Sequence, residues 1–242
     1  MARLHLFHTN DFHGKLTDEK AAILKAHIER LAAGEPYVLL DAGDAVSAGN
    51  LGFNPLGEPL LARMSALGYD AMTMGNRETH PSLAVVRTKL SKAGFPVLCA
   101  NGYAKNAAGN VPFLPSVLLE RGGRRIGVFG VTVPMATPQK VDAALWDNLF
   151  APPIETAKQL AAELRPQCDL LIALTHIGIA QDRKLAEAVP ELDLLIGGHT
   201  HVVLEQPEVV NGVPIVQAGS HARYLGHVIF EDGNVTGELI SL

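Results

Sequence analysis

Thr9-Asn10-Asp11-Phe12-His13-Gly14 stands directly behind the apolar run of residues 4–7, which reads as a first buried strand. Asp11 and His13 lie two residues apart at the mouth of that strand. A carboxylate oxygen and an imidazole nitrogen so placed can grip one divalent cation from one side. An Asp-x-His pair occurs by chance in many chains, so its weight comes from recurrence. Four further loops, each behind a short apolar run, carry the same kinds of ligand.

Residues 37–40 read as a second strand and run into Asp41-Ala42-Gly43-Asp44. Residues 70–74 form a third, ending in Gly75-Asn76-Arg77-Glu78-Thr79-His80. Residues 169–174 lead into Thr175-His176-Ile177-Gly178, and residues 192–196 into Gly197-Gly198-His199-Thr200-His201. In α/β folds, binding sites lie beyond the carboxyl ends of such strands. Taken singly, Asn76 could be a turn residue, Asp44 a cap and His176 a satisfied core histidine. Their coincidence at five strand ends has no such account. Asp11, His13, Asp44, Asn76, His176, His199 and His201 are enough for two cations sharing a bridge. Mixed oxygen and nitrogen ligation suits manganese, iron or zinc and fits calcium poorly.

The intervening segments predict how these loops are carried. A helix is expected over residues 17–33, with Ile23, Leu24, His27, Ile28 and Leu31 on one face and His27 at most half-buried. A short helix follows over residues 59–67, and another opens at Pro81 with Leu83, Val86 and Leu90 along one side. Residues 95–100 read as a fourth strand. This alternation argues a largely parallel sheet with crossover helices. Residues 45–57 read either as part of a pocket rim or as a plain surface connection.

Beyond a polar loop at residues 101–110 the texture changes. Gly122-Gly123 signals a hairpin between residues 113–120 and 124–131. Residues 134–150 are mixed, with Trp146 as a packing residue. Helices are expected over residues 154–164 and 181–189. Short strands over residues 213–217, 225–231 and 235–242, with turns at Asn211-Gly212 and Asp232-Gly233, are expected to complete a second sheet. With no repeat, linker or boundary in view, residues 1–242 are expected to form a single domain.

The 242 residues, 48% hydrophobic and 19% charged, have the composition of an ordinary globular protein. The net charge of −5 and the lack of a basic stretch argue against a nucleic-acid polymer as partner. No apolar run approaches the roughly 18 residues of a membrane span, so no membrane partner is expected. The N-terminus reaches the Asp-x-His motif too soon for a signal peptide, so a cytoplasmic location is expected. Cys99 and Cys168 each fall at an apolar strand and read as buried free thiols rather than a disulfide. The oligomeric state is left open.

The ordered set Asp-x-His, Gly-Asp (43–44), Gly-Asn (75–76), a lone His (176) and Gly-His-Thr-His (198–201) resembles the calcineurin-like metallophosphoesterases. His8-Thr9-Asn10-Asp11-Phe12-His13-Gly14 and Gln217-Ala218-Gly219-Ser220 with Gly226 resemble the catalytic domain of bacterial 5′-nucleotidases. The resemblance covers almost the whole chain. It implies a four-layer α/β/β/α sandwich of two mixed sheets. It also implies that Asp11, His13 and His201 bind one metal and Asn76, His176 and His199 the other, with Asp44 as the bridge. Such metals, manganese favoured, sit ~3.5–4 Å apart and clamp both oxygens of an in-line displacement. A metal-bridging hydroxide would attack phosphorus directly, without a covalent phospho-enzyme. The implied activity is phosphoester hydrolysis, a monoesterase more than a diesterase, on a nucleotide or other small phosphorylated metabolite.

Two departures qualify the resemblance. The family pattern reads Gly-Asn-His-Glu, then an aromatic residue and Asp; here Arg77 and His80 hold the His and Asp positions. Arg77 cannot readily donate a proton, its pKa being roughly 12 or higher, but it can grip a phosphoryl oxygen. His80 titrates near neutrality and could supply the proton instead. Ordinary structural hydrogen bonds are the alternative for both. The second departure is length. The 5′-nucleotidases carry a further C-terminal nucleotide-binding domain, which is not expected in a chain ending at Leu242. His221 is expected to contact substrate, with His8, Asn101 and Arg223 as further pocket candidates. Two other readings compete: a metallophosphoesterase scaffold with weakened turnover that acts as a metal- or phosphate-binding module, and a metal amidohydrolase built on His199-x-His201, whose usual eight βα repeats cannot be counted here.

Overall fold

The computed structural model describes residues 3–106, 109–231 and 233–242. Met1 and Ala2, residues 107–108 of the polar loop, and Asp232 of the expected Asp232-Gly233 turn lie outside the described residues.

The chain opens with β1 (Leu4–Thr9), whose side chains alternate between two apolar environments. Leu4 and Leu6 enter one core, and Phe7 enters another. Thr17 then starts α1 (Asp18–Ala32) by accepting from the Lys20 N–H at 3.2 Å, and Asp18 and Glu19 complement the first turn. The buried stripe of α1 is Ala21, Leu24, Ile28 and Ala32. Contrary to expectation, Ile23 is exposed and Leu31 only half-buried, because the helix lies on the sheet with a narrower edge than the apolar count suggests.

Next come β2 (Tyr37–Asp41), α2 (Pro59–Leu67), β3 (Ala71–Thr73), α3 (Leu83–Leu90) and β4 (Val97–Leu98). The start of α3 corrects the expectation that Pro81 opens it. Ser82 is the N-cap residue, and its N–H donates to His80 Nδ1 at 2.9 Å, which holds Pro81 outside the helix. The expected fourth strand shortens to two residues because its flanks turn away to pair elsewhere. The Cys99 N–H bonds to the Leu114 carbonyl, and the Ala100 N–H to the Gly130 carbonyl.

After this, β5 (Gly102–Ala104) is followed by the hairpin of β6 (Ser116–Arg121) and β7 (Arg124–Thr132), which turns at Gly122-Gly123. A 3-10 turn at Val141–Leu145 leads to β8 (Asn148–Phe150), which pairs with β5. Trp146 is buried and meets Phe150 edge-on. The remaining elements are α4 (Pro153–Leu164), β9 (Leu170–His176), α5 (Ile179–Ala188), β10 (Leu194–Gly197), β11 (Glu208–Val210), β12 (Val213–Val216), β13 (Tyr224–Glu231) and β14 (Asn234–Ser241).

Two six-stranded mixed sheets result, ordered β14-β13-β1-β2-β3-β4 and β11-β12-β10-β9-β7-β6. Four strands run parallel in each: β1 to β4 in the first, and β12, β10, β9 and β7 in the second. The C-terminal strands were expected to complete the second sheet together. Of the three, only β12 does so, joined by an unexpected strand, β11; β13 and β14 return to the first sheet, with β13 antiparallel to β1. Apolar alternation marks which face of a strand is buried but not which sheet accepts it.

Three apolar layers separate four structural ones. Leu24, Ile28, Leu61, Met64 and Val86 pack helices α1 to α3 on Phe7, Leu39 and Met72 of the first sheet. Leu6, Val38 and Leu40 meet Val128, Ile172 and Ile196 between the sheets. Ala157, Ala161 and Leu185 pack α4 and α5 on the far face of the second sheet. The fold is therefore the expected α/β/β/α sandwich. Cys99 and Cys168 are free and buried. Among the described residues, no helix is long and apolar enough to cross a membrane.

Near the carboxyl end of β1, the fully buried His8 ring lies against the backbone of its partner Gly226 on β13, where any Cβ would collide with the ring. Burial, with His227 nearby as a lesser cause, pushes His8 down to about 3, so the imidazole is neutral.

Candidate metal centre

All seven expected ligands come together where the carboxyl ends of the two sheets meet. Asp11 and His13 follow β1, Asp44 follows β2 and Asn76 follows β3. His176 is the last residue of β9, and His199 and His201 follow β10. The ligand-bearing turns are unusual backbone: Asp11, His13, Asp44, His199 and His201 all have positive φ, between 48° and 79°. Non-glycine residues adopt this left-handed region at a cost of order 1–3 kcal/mol each. The sharp turns aim these side chains back across the strand ends. The loops also touch: a Cβ at Gly75 would collide with the Asp44 carboxylate, so only glycine lets the β2 and β3 loops close on one another.

Asp11, His13 and His201 offer ligand atoms that all lie within 4.8 Å of one another, and so do Asp11, Asp44 and His176. His13 Nε2 is 3.5 Å from Asp11 Oδ1 and 3.4 Å from Asp44 Oδ2. His176 Nε2 is 3.4 Å from Asp44 Oδ1, and His201 Nε2 is 3.3 Å from Asp11 Oδ1. On the far side, His199 Nδ1 stands 3.0 Å from Asn76 Oδ1. Asp44 thus faces His13 with one oxygen and His176 with the other.

Partnerless atoms identify the guest. Asp11 Oδ1, His13 Nε2 and His176 Nε2 are buried without a hydrogen-bond partner, and all three point into the cluster. Leaving such atoms unsatisfied costs kilocalories each, so convergence on one space fits a cation. The His176 tautomer supports the same reading. Its Nδ1 faces the Ala42 carbonyl at 2.8 Å, and a carbonyl only accepts, so Nδ1 carries the proton and Nε2 presents a lone pair. Without a cation the carboxylates draw protons. Burial opposes charge on His13 and His176, yet Asp11 and Asp44 beside the first and Asp44 beside the second outweigh it and raise each to about 9. Burial likewise opposes charge on Asp44, but the same two imidazoles hold it well below the usual carboxylate range.

The supporting residues include several that sequence reasoning passed over. Asn10 donates to Asp11 Oδ2 at 2.8 Å and to the Gly219 carbonyl at 2.6 Å, while its Oδ1 accepts from the Ala218 N–H. The fully buried Glu78 carboxylate accepts from the backbone N–H groups of Asp44, Val46 and Gly75 at 3.0, 3.1 and 2.8 Å. Buried Lys89 donates to the carbonyls of Gly49, Asn50, Arg77 and Thr79. Position inside a ligand loop was the available signal for Asn10 and Glu78; Lys89 had none, since its turn of α3 meets the loops only in space.

Arg77 lies over the bridging carboxylate. Its N–H donates to Asp44 Oδ1 at 2.7 Å, its Nη1 to the Ser47 carbonyl at 3.0 Å, and its Nε stands 3.8 Å from Asp44 Oδ2. The His80 ring meets Phe53 edge-on and takes the Ser82 N–H, and burial with nearby Lys89 lowers its pKa. The 47–57 loop therefore borders the centre, with Asn50 Oδ1 accepting from Asn76 Nδ2 at 3.3 Å. The His221 ring stands 4.9 Å from that of His13 and 5.8 Å from that of His201, and its Nδ1 faces Ser220 Oγ at 2.8 Å. Of the other pocket candidates, His8 points between the sheets. Asn101 braces the loops by donating to Thr132 and Ala151 carbonyls, and Arg223 Nε donates to the Ser220 carbonyl.

Comparison with known proteins places this arrangement. YunD of Bacillus subtilis, an uncharacterized metallophosphoesterase, is 32% identical over 93% of this chain and 49% of its own length. The 5′-nucleotidase of Vibrio cholerae is 32% identical over 98% of this chain and 50% of its own. The crystal structure of a 5′-nucleotidase precursor from Thermus thermophilus superposes with a TM-score of 0.81 at 26% identity, over 100% of this chain and 55% of that one. The chain thus spans about half the length of the curated relatives it matches. The profile of the calcineurin-like phosphoesterases matches residues 4–203, which takes in every ligand loop described above, and the chain belongs to that family of divalent-metal-dependent phosphoesterases.

Proposed function

We propose that this chain forms the catalytic core of a dinuclear metal-dependent phosphoester hydrolase. Its preferred substrates would be phosphomonoesters of a nucleotide or another small phosphorylated metabolite. The observation that carries the reading is the convergence of three buried, partnerless ligand atoms, Asp11 Oδ1, His13 Nε2 and His176 Nε2. Asp11, His13 and His201 would hold one ion, Asn76, His176 and His199 the other, and Asp44 both. When bound, the pair supplies Lewis acidity and a water of lowered pKa at neutral pH. Manganese is the favoured ion, with iron and zinc the other candidates that the mixed donor set suits.

The chain's own residues do the positioning. Asp44 spans the two halves of the cluster and fixes their spacing. The Arg77 guanidinium, over Asp44 and backed by the Ser47 carbonyl, directs its remaining donors at an equatorial phosphoryl oxygen, where charge gathers in the transition state. Asn76 completes the rim on one side and His221 on the other, both facing the substrate. His80 spends its Nδ1 on the Ser82 N–H, so any proton it gives to a leaving group must come from Nε2. The names of the nucleotidase relatives support a small phosphorylated nucleotide as substrate. The buried free thiols fit a reducing, cytoplasmic setting.

The test is a phosphoester panel run with manganese, zinc, iron and magnesium, alongside elemental analysis. Two ions per chain and metal-dependent turnover are expected; one ion bound away from Asp44 would overturn the assignment. The Arg77–Asp44 contact also favours a second reading, a scaffold that binds metal and phosphate with weakened turnover. Two bound ions with no turnover on any ester would select it.

A further inference from the structure

Among the described residues, six buried polar side-chain atoms outside the ligand cluster also lack partners, and two of them, Asp182 Oδ2 and Gln217 Nε2, border the same residue, Gly197. Both residues are fully buried. Asp182 lies in the first turn of α5, and Gln217 follows β12. The parallel register brings Thr175, Gly197 and Gln217 level across the ends of β9, β10 and β12, since Gly197 pairs with Thr175 and Ile196 with Val216. These positions alternate with Leu174, Ile196 and Val216 of the layer between the sheets, so they face the opposite way, towards α5. Gly197 leaves room there. A Cβ at that residue would collide with Asp182 Oδ2 and stand 3.4 Å from Gln217 Nε2.

The other atoms of both side chains are engaged. Asp182 Oδ1 accepts from the Thr175 hydroxyl at 2.7 Å. Gln217 Oε1 accepts from the Val202 N–H at 2.8 Å and the Thr200 hydroxyl at 3.4 Å. The Val202 contact settles which way the amide points: a backbone N–H must face an oxygen, so the NH2 group turns towards Asp182. Thr200 Oγ1 in turn accepts from the N–H of Ile179, the first residue of α5. A carboxylate oxygen and an amide donor thus flank one small space, each without a partner, and either left alone would cost kilocalories.

We propose that Gln217 Nε2 and Asp182 Oδ2, which border the same space without a hydrogen bond in the structure, close into a direct donor–acceptor pair, and that this pair acts as a strut of positioning residues setting His176 and the His199-Thr200-His201 loop against each other. Asp182 reaches His176 through its neighbour Thr175, and Gln217 reaches His199 and His201 through Thr200 and Val202. The three imidazoles of the second sheet are thereby held as a unit. Burial pushes Asp182 up to about 7, with the Thr175 hydroxyl opposing it; a second donor on the free oxygen stabilises the ionised form that the strut requires. The inference rests on the metal-centre reading above.

The test is a donor–acceptor swap in the full chain. Asp182→Asn sets amide against amide, and Gln217→Glu sets carboxyl against carboxyl. The double variant reverses the polarity with the same number of atoms: the amide at 182 still accepts from Thr175, and the carboxylate at 217 still accepts from Val202. Manganese affinity is measured by calorimetry on metal-stripped protein, with melting in EDTA alongside. Each single substitution should weaken manganese binding about 10–100-fold, the usual effect of a residue supporting a ligand, and the double variant should return to within about threefold of the parent. A merely structural role would lower the melting temperature and leave affinity in place. If a single variant does not fold, Thr200→Val cuts the same link from the exposed side and should weaken binding several-fold. Additive losses in the double variant, or parental affinity in the singles or in Thr200→Val, overturn the strut alone. A parent that takes up no divalent ion breaks the metal-centre reading itself.

Discussion

The two sheets share a pattern of four parallel strands, yet they deliver different chemistry to the seam between them. The first contributes Asp11, Asp44 and Asn76, with His13 as its one imidazole; the second contributes His176, His199 and His201 and nothing else. Both negative charges therefore come from one sheet. The other presents uncharged donors once their protons are displaced. The first sheet supplies the electrostatic attraction for a cation, and the second supplies the nitrogen donors that suit a transition metal better than calcium. Any ion held by both sets also pins the two sheets together.

The largest effect should come from the residue that faces both halves. Asp44→Asn is expected to reduce turnover on the order of 10³-fold and to empty the centre, beyond the ~10–100-fold typical of supporting residues. His176→Ala and His199→Ala should retain one ion. Metal content and turnover measured side by side check this, and a near-normal Asp44→Asn protein would erase the distinction between the sheets.

The pinning has its own signature. Manganese at about 100 times its dissociation constant should add ~2.7 kcal/mol, or about 5–10 °C of melting temperature for a chain of this size. The increment should vanish in Asp44→Asn. Calorimetric scans with and without EDTA measure it, and equal melting temperatures in the parent would show that the folded chain takes up no ion.

A third effect belongs to the space between the sheets, near the ligands but independent of them. His8 is held neutral with its pKa near 3, whereas the unfolded chain titrates it near the ordinary 6.5. The unfolded state therefore takes up the proton first. The stability from the neutral form is fully present above about 6.5 and is lost as pH falls towards 3, at about 1.4 kcal/mol per unit. Urea unfolding in EDTA at pH 7, 6 and 5 should show this slope in the parent, reduced by that amount in His8→Gln. Identical slopes would mean that His8 protonates freely.

The smallest effect separates Arg77 from a proton donor. Stabilising the equatorial oxygens and protonating the leaving oxygen are distinct tasks, and an arginine performs only the first. The parent should favour nitrophenyl over alkyl esters, and Arg77→His should narrow that gap by about tenfold, short of the roughly 10²–10⁴-fold of full general acid help because the change also removes a phosphate clamp. Turnover plotted against leaving-group pKa reads this directly. A flat plot for the parent, unchanged in His80→Ala, would return both residues to structural roles.

The convergence of Asp11, Asp44, His176 and their companions was legible in the sequence because each follows a short apolar strand, and strand ends are where a parallel sheet exposes its loops. The sandwich was legible only through resemblance. The sequence could not reveal that β13 returns to the first sheet, because pairing across more than 200 residues leaves no local pattern. The same holds for the placing of Asp182 beside Gln217, since only the strand register sets both against Gly197. The helix that opens at Thr17 was readable from the spacing of its own apolar residues. Local chemistry is written locally, whereas a bracing group is defined by what folds against it.

The His8 ring lies where a side chain at position 226 would have to stand, although 218 residues separate the two in sequence. The two sites form a single steric unit of inheritance. A smaller residue at position 8 would free space for alanine or serine at 226. While the imidazole stays, glycine is the residue that fits opposite it, so a change at 226 is expected to be tolerated only after a change at position 8.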